Sequence, residues 1–173
     1  MTLRSFAFVL IAVSLLALGS FAAGCGGDDE ALSIEEYFGR LDALNGQLEA
    51  DLQEVDTENA EEEDLKLIQA NFANTVALLA TFAGGVSDLE PPDEIKSQHE
   101  EAAEALRAYA DALGGDYLDQ VSNLDSIEEL QALAVDEELV AAGARAGEAC
   151  LVLEQLAADN GTEIALNCGS GGR

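Results

Sequence analysis

The chain has no tryptophan, and its single methionine is the initiator Met1. Once an N-terminal leader is removed, a haem held by Met and His ligands and an indole platform for stacking sugars are both excluded. There is one histidine, His99, so any Ser–His or Cys–His catalytic pair has to use it. Only 7 Lys and Arg side chains stand against 35 Asp and Glu, giving a formal net charge of −28. So acidic a surface repels nucleic acid, whose binding depends on basic side chains, and it repels anionic lipid as well. Such a charge keeps a protein soluble and suits a saline or cation-rich setting. The sequence contains no H-E-x-x-H, no phosphate-binding glycine loop and no nucleophile elbow. It also lacks the C-x-x-C of thiol redox proteins and the C-x-x-C-H of c-type haem attachment. No cofactor is implied.

What the chain does have begins at its N-terminus. Arg4 sits beside the terminal amine, and Phe6 to Leu18 is apolar apart from Ser14. A positive start followed by a short apolar run reads as an export signal. The run falls short of the roughly 20 residues a spanning helix needs, and one arginine does not make a twin-arginine signal.

Ala22-Ala23-Gly24-Cys25 follows the run. This tetrapeptide resembles the lipobox of bacterial lipoproteins, with Ala22 standing where leucine is commonest in that family. The resemblance implies cleavage between Gly24 and Cys25, diacylglycerol on the Cys25 sulfur, and attachment to the extracytoplasmic face of the cell membrane. With no basic patch to hold the chain on a bilayer, the acyl chains supply the affinity. The competing reading is ordinary secretion: Ser20-Phe21-Ala22 and Ala22-Ala23-Gly24 both satisfy the small-x-small cleavage rule, which would give a soluble product.

Three cysteines, Cys25, Cys150 and Cys168, are an odd number for an exported chain. Acylation of Cys25 accounts for one and leaves Cys150 and Cys168 as a pair. A helix from Cys150 to Asn160 covers about 15 Å, and residues 162–168 extended reach up to roughly 23 Å, enough to return alongside it. A Cys150–Cys168 disulfide is expected.

The remaining sequence is patterned in threes and fours. Ser33 and Glu36 form a capping box with Leu32 and Tyr37 as staple. Ile34, Tyr37, Phe38, Leu41, Leu44, Leu48, Leu52 and Val55 then make one helical face. Asp56 to Asp64 is an acidic break in which Asn59 and Glu62 are candidate caps. A second stripe runs from Leu65 through Ile68, Phe72, Thr75, Leu79, Phe82 and Val86 to Leu89, weakened at Gly84-Gly85, where the helix is expected to fray, bend or stop. Pro91-Pro92-Asp93-Glu94 restarts the chain with a proline at the first helical position, leading to a third face of Ile95, His99, Ala102, Ala103, Leu106, Tyr109, Ala110 and Leu113. Gly114-Gly115 marks a bend or a stop. Ser126 to Glu129 repeats the capping tetrapeptide of Ser33 to Glu36 and should start a short helix to about Ala134. The last long helix, Asp136 to Asn160, has a seam of Leu139, Gly143, Ala146, Cys150, Leu153 and Ala157, stopped at Asn160-Gly161.

The expected fold is all-α: an antiparallel bundle of four long helices, a short helix and a disulfide-pinned C-terminal segment. Residues 1–24 form the signal peptide, 25–32 the lipidated cysteine and an acidic tether, 33–168 the helical domain and 169–173 a disordered tail. The Pro-Pro followed by a histidine loosely resembles helical exported lipoproteins of unassigned function and carries no activity over.

Three function classes follow. The preferred one is a lipid-anchored binding module for a protein or small-molecule partner, with no catalytic residue assigned. The second is a cation- or metal-binding lipoprotein, with His99 its weak candidate ligand. The third is an enzyme whose site assembles around His99. Ile95, Lys96, Ala102 and Ala103, the helical neighbours of His99, include no suitable ligand, so its partners would come from other helices. The structural expectation for His99 is partial burial, with a hydrogen bond to a carboxylate or a backbone carbonyl.

Overall fold

A computed structural model describes residues 31–57 and 65–166. Cys25, the leader, the candidate caps Asn59 and Glu62, Cys168 and the expected tail lie outside those residues. Among the described residues the regular structure is entirely helical: α1 (Ile34–Thr57), α2 (Leu65–Ser87), α3 (Lys96–Ala112), α4 (Leu118–Ser122), α5 (Ile127–Ala132) and α6 (Glu137–Asp159). The all-α expectation holds.

Local chemistry starts and stops these helices. At the head of α1 the Glu36 N–H donates to Ser33 Oγ (3.3 Å), while the Glu36 carboxylate accepts from the Ser33 N–H (3.1 Å) and hydroxyl (2.6 Å). The Ser33 hydroxyl, and then its N–H, hold the Glu36 carboxyl below its ordinary value. The second tetrapeptide works in nearly the same way: Ser126 Oγ accepts the Glu129 N–H (3.2 Å), and the Glu129 carboxylate reaches back to the Asp125 N–H (2.8 Å). Asp136 caps α6 through the Leu139 N–H (2.7 Å). At the other end of α6, Gly161 has φ 76°. The Thr162 N–H then bonds Ala157 O and the Gly161 N–H bonds Ala158 O. That pair of bonds is a Schellman stop, and it needs a residue that tolerates positive φ.

Two breaks depart from expectation. Gly84-Gly85 does not interrupt α2, which runs on to Ser87. The reason is packing: a Cβ on Gly85 would lie 2.9 Å from Leu44 Cδ2, so the glycine leaves space for a side chain of α1. Pro92 is extended (φ −63°, ψ 151°) and precedes a 3₁₀ turn, Asp93–Ile95, so the first α-helical residue is Lys96. Gly114-Gly115 does bend the chain. Leu113–Tyr117 forms a π turn with Gly115 at φ −89°, ψ −128°, after which α4 resumes.

Packing joins α1 to α2, α2 to α3 and α3 to α6. The larger core gathers Tyr37, Phe38 and Leu41 of α1, Val86 of α2, Ile95, Ala102 and Ala103 at the start of α3, and Leu153 and Ala157 near the end of α6. A smaller one joins Val76 of α2, Leu113 after α3 and Leu139 at the start of α6. The small residues of the α6 seam admit close neighbours as expected: a Cβ on Gly143 would meet the Tyr109 ring at 3.2 Å.

The segment after α6 completes the larger core. Ile164 and Leu166 pack into it while Glu163 and Ala165 stay exposed, the alternation of an extended strap. With no strand to pair with, its backbone is satisfied by side chains. Asn45 Nδ2 of α1 donates to Ala165 O (3.0 Å), and the Leu166 N–H donates to Glu154 Oε1 of α6 (2.7 Å).

Gln69 does a comparable task for α4. Its amide donates to Val121 O (2.9 Å), Leu124 O (3.0 Å) and Ser122 O (3.3 Å). Gln69→Leu keeps the bulk and removes all three bonds, two of them partly buried. We expect a loss of about 1–2 kcal/mol in urea unfolding, with faster amide exchange confined to residues 118–126.

Candidate functional site

His99 is placed by the first turns of α3, where it follows the buried Ile95 by one helical turn and points inward. It is 4 % exposed. Its partner is neither a carboxylate nor a backbone carbonyl, as the sequence suggests, but the hydroxyl of Tyr37 on α1, 2.9 Å from Nδ1. The two rings stand edge to face, 5.6 Å apart, and Phe38 makes the same contact on Tyr37 at 5.1 Å. Burial is the largest cause pulling the His99 pKa below its ordinary value; Glu100 opposes that shift and Arg107 adds to it. Burial also pushes Tyr37 up to about 12. Both groups are therefore held neutral. A phenol is the better donor and an unprotonated imidazole nitrogen the better acceptor, so the hydroxyl donates to Nδ1 and the ring proton sits on Nε2. Among the described residues no group of three His, Cys, Asp or Glu side chains is arranged to hold a metal ion.

Two surface clefts are lined by described residues, and His99 lines neither. One, of about 370 Å³, lies between α3 and α6. Ala105 and Ala108 of α3 and Ala142 and Ala149 of α6 form its floor, because methyl groups cannot fill the space between two helices. Gln98, Glu101 and Glu104 stand on the α3 side, and Arg145, Glu148 and Val152 on the α6 side. The other cleft, between α1 and α2, is shallower and wholly acidic or amide in its polar lining: Asp51, Glu54, Asn71 and Asn74.

Cys150 is half-buried on α6 with its Sγ 3.9 Å from Leu166 O. Its expected partner, Cys168, lies two residues past Leu166 and outside the described residues.

Sequence periodicity finds His99 and Cys150 and places both inward. It misses the α3–α6 cleft, whose floor alanines belong to no motif, and it misses Tyr37 as the histidine's partner, since 62 residues separate the two. It also passes over Asn45, a buried amide on an otherwise apolar face, whose polarity is the one available signal that a backbone group must reach it. No protein-family model, no curated protein and no solved structure matches this chain.

Proposed function

We propose that this chain is a lipid-anchored, extracytoplasmic helical binding module. The observation that carries the proposal is the lipobox-like Ala22-Ala23-Gly24-Cys25 behind an apolar leader, joined to a helical domain with an open cleft between α3 and α6. In this reading α1, α2, α3 and α6 form an antiparallel four-helix bundle. The larger core supports that direction of packing: it joins the start of α3 to the end of α6, while the smaller one joins the end of α3 to the start of α6. The strap is pinned by a Cys150–Cys168 disulfide, a pairing supported by the 3.9 Å approach of Cys150 Sγ to Leu166 O, two residues before Cys168.

α2 is long and apolar enough to cross a membrane by length and composition. Its contacts with α1 and α3, and its Gln69 bonds to α4, favour a core helix instead. His99 is read as structural, because its Nδ1 is already taken by Tyr37 in an apolar surrounding.

Intact mass spectrometry of the membrane fraction tests the proposal in one measurement. Cleavage before Cys25, two or more acyl chains and no alkylatable thiol are expected. Cys25→Ser should appear in the soluble fraction or as an uncleaved precursor, since each buried methylene of a lipid contributes about 0.8 kcal/mol to anchoring. An acyl-free wild-type N-terminus refutes the anchor, and two alkylatable thiols refute the disulfide.

A further inference from the structure

We propose that the outward face of α6, with the α3–α6 cleft beside it, is the docking surface for a basic amphipathic helix of a partner protein; this rests on the binding-module reading above. Among the described residues the large apolar side chains that stay exposed are Val135, Val140, Leu151 and Val152. They are confined to one region: Val135 immediately precedes α6 and the other three lie on it. At 100° per residue, Val140, Ala144 and Leu151 fall on one narrow stripe, while Val152, about 100° further round than Leu151, lines the cleft beside it. An exposed apolar strip bordered by polar groups marks an interaction surface, whereas scattered single residues do not.

Charge selects the occupant. Glu101 and Glu104 form the far lip of the cleft, Glu148 stands between the stripe and the cleft floor, and Arg145 is the one cation in the lining, which leaves it net acidic. A second copy would bring its own net charge of −28 to this acidic border, and an anionic bilayer would be repelled in the same way. A helix with lysine or arginine on one side and leucine-like residues on the other meets both requirements. Its apolar side covers Val140, Leu151 and Val152, its side chains enter the space above the alanine floor, and its cations reach Glu101, Glu104 and Glu148. That is groove recognition of an amphipathic helix with complementary charge at the rim.

The test uses the full-length acylated protein in zwitterionic nanodiscs and a fluorescent Leu/Lys peptide of helical period, with empty discs subtracted. Leu151→Asp combined with Val152→Asp should weaken binding at least about tenfold, a loss typical of anchor residues at an interface. Glu101→Gln with Glu104→Gln should weaken it about threefold or more and flatten its salt dependence. Because all four side chains lie on the surface or the cleft lip, each variant should keep the wild-type circular dichroism. Glu35→Gln with Asp42→Asn, exposed on α1, should change nothing. Equal weakening by that control pair would overturn the proposal, as the peptide would then be reading overall charge. Equal affinity for a Leu/Glu peptide, or a dimer that Leu151→Asp dissolves, would also overturn it. A membrane-anchored protein that binds the peptide elsewhere refutes this surface and leaves the binding-module reading standing.

Discussion

Phe38→Ala should lower the unfolding free energy by about 3–5 kcal/mol, a large part of what a domain of this size possesses. Phe38 is fully buried in the core that α1, α3, α6 and the strap share, with its ring against Tyr37. Alanine there removes the apolar transfer term and leaves a cavity. The surrounding positions cannot close it cheaply, because Ala102, Ala103 and Ala157 have only methyl groups to offer. The contrast is Leu151→Ala, which deletes an aliphatic chain that is 53 % exposed and should cost no more than about 0.5 kcal/mol. Urea unfolding followed by circular dichroism measures both. Similar midpoints for the two variants would mean that Phe38 is not in a packed interior.

The Tyr37–His99 pair should produce the next largest effect, and one with a pH signature. Tyr37→Phe removes the hydroxyl and strands a buried imidazole nitrogen, at a cost of about 1–3 kcal/mol near neutrality. Changing both partners, Tyr37→Phe with His99→Leu, removes the donor and the acceptor together and should recover part of that loss. The folded chain holds His99 below its ordinary pKa, so the unfolded chain takes up the proton first as the pH falls. The stability from a neutral His99 is therefore complete above about 6.5, the unfolded value, and is lost as the pH drops from there toward the lower folded value. Tyr37 is shifted the other way, to about 12. Its contribution is complete below about 10, the unfolded value, and is lost as the pH rises through the folded one. Wild type should show a slope below about pH 6.5 that His99→Gln lacks. Parallel acid limbs in the two proteins would show that His99 is solvated.

Helix positions and the inward faces were largely legible before any coordinates. Ser33, Ser126 and Asp136 announce helix starts because a cap is a local hydrogen bond between residues three apart. Asn160-Gly161 announces a stop because positive φ is a one-residue property. Leu139, Gly143, Ala146, Leu153 and Ala157 share a face by geometry alone. What escaped the sequence depends on distant neighbours. Gly85 reads as a weakness in a helix until Leu44 is placed against it. Tyr37 reads as a staple residue and becomes the histidine's partner only once α1 and α3 are side by side. The exposed Leu151 and Val152 sit in a strongly apolar run whose spacing cannot tell an inner face from a second, outer one.

The strap has a consequence for the order in which this protein can fold. Asn45 and Ala165, which hold it to α1, are 120 residues apart in the chain, and Leu166 belongs to the same core as Tyr37 and Phe38. A growing chain emerging from the ribosome can form its helices and join neighbouring ones, but it cannot finish that core until Ala165 and Leu166 have appeared. Contacts so distant in sequence bear the full entropy of loop closure and make folding slow. Under the export proposed above, that delay lengthens the interval in which the chain is still extended enough to be threaded across a membrane.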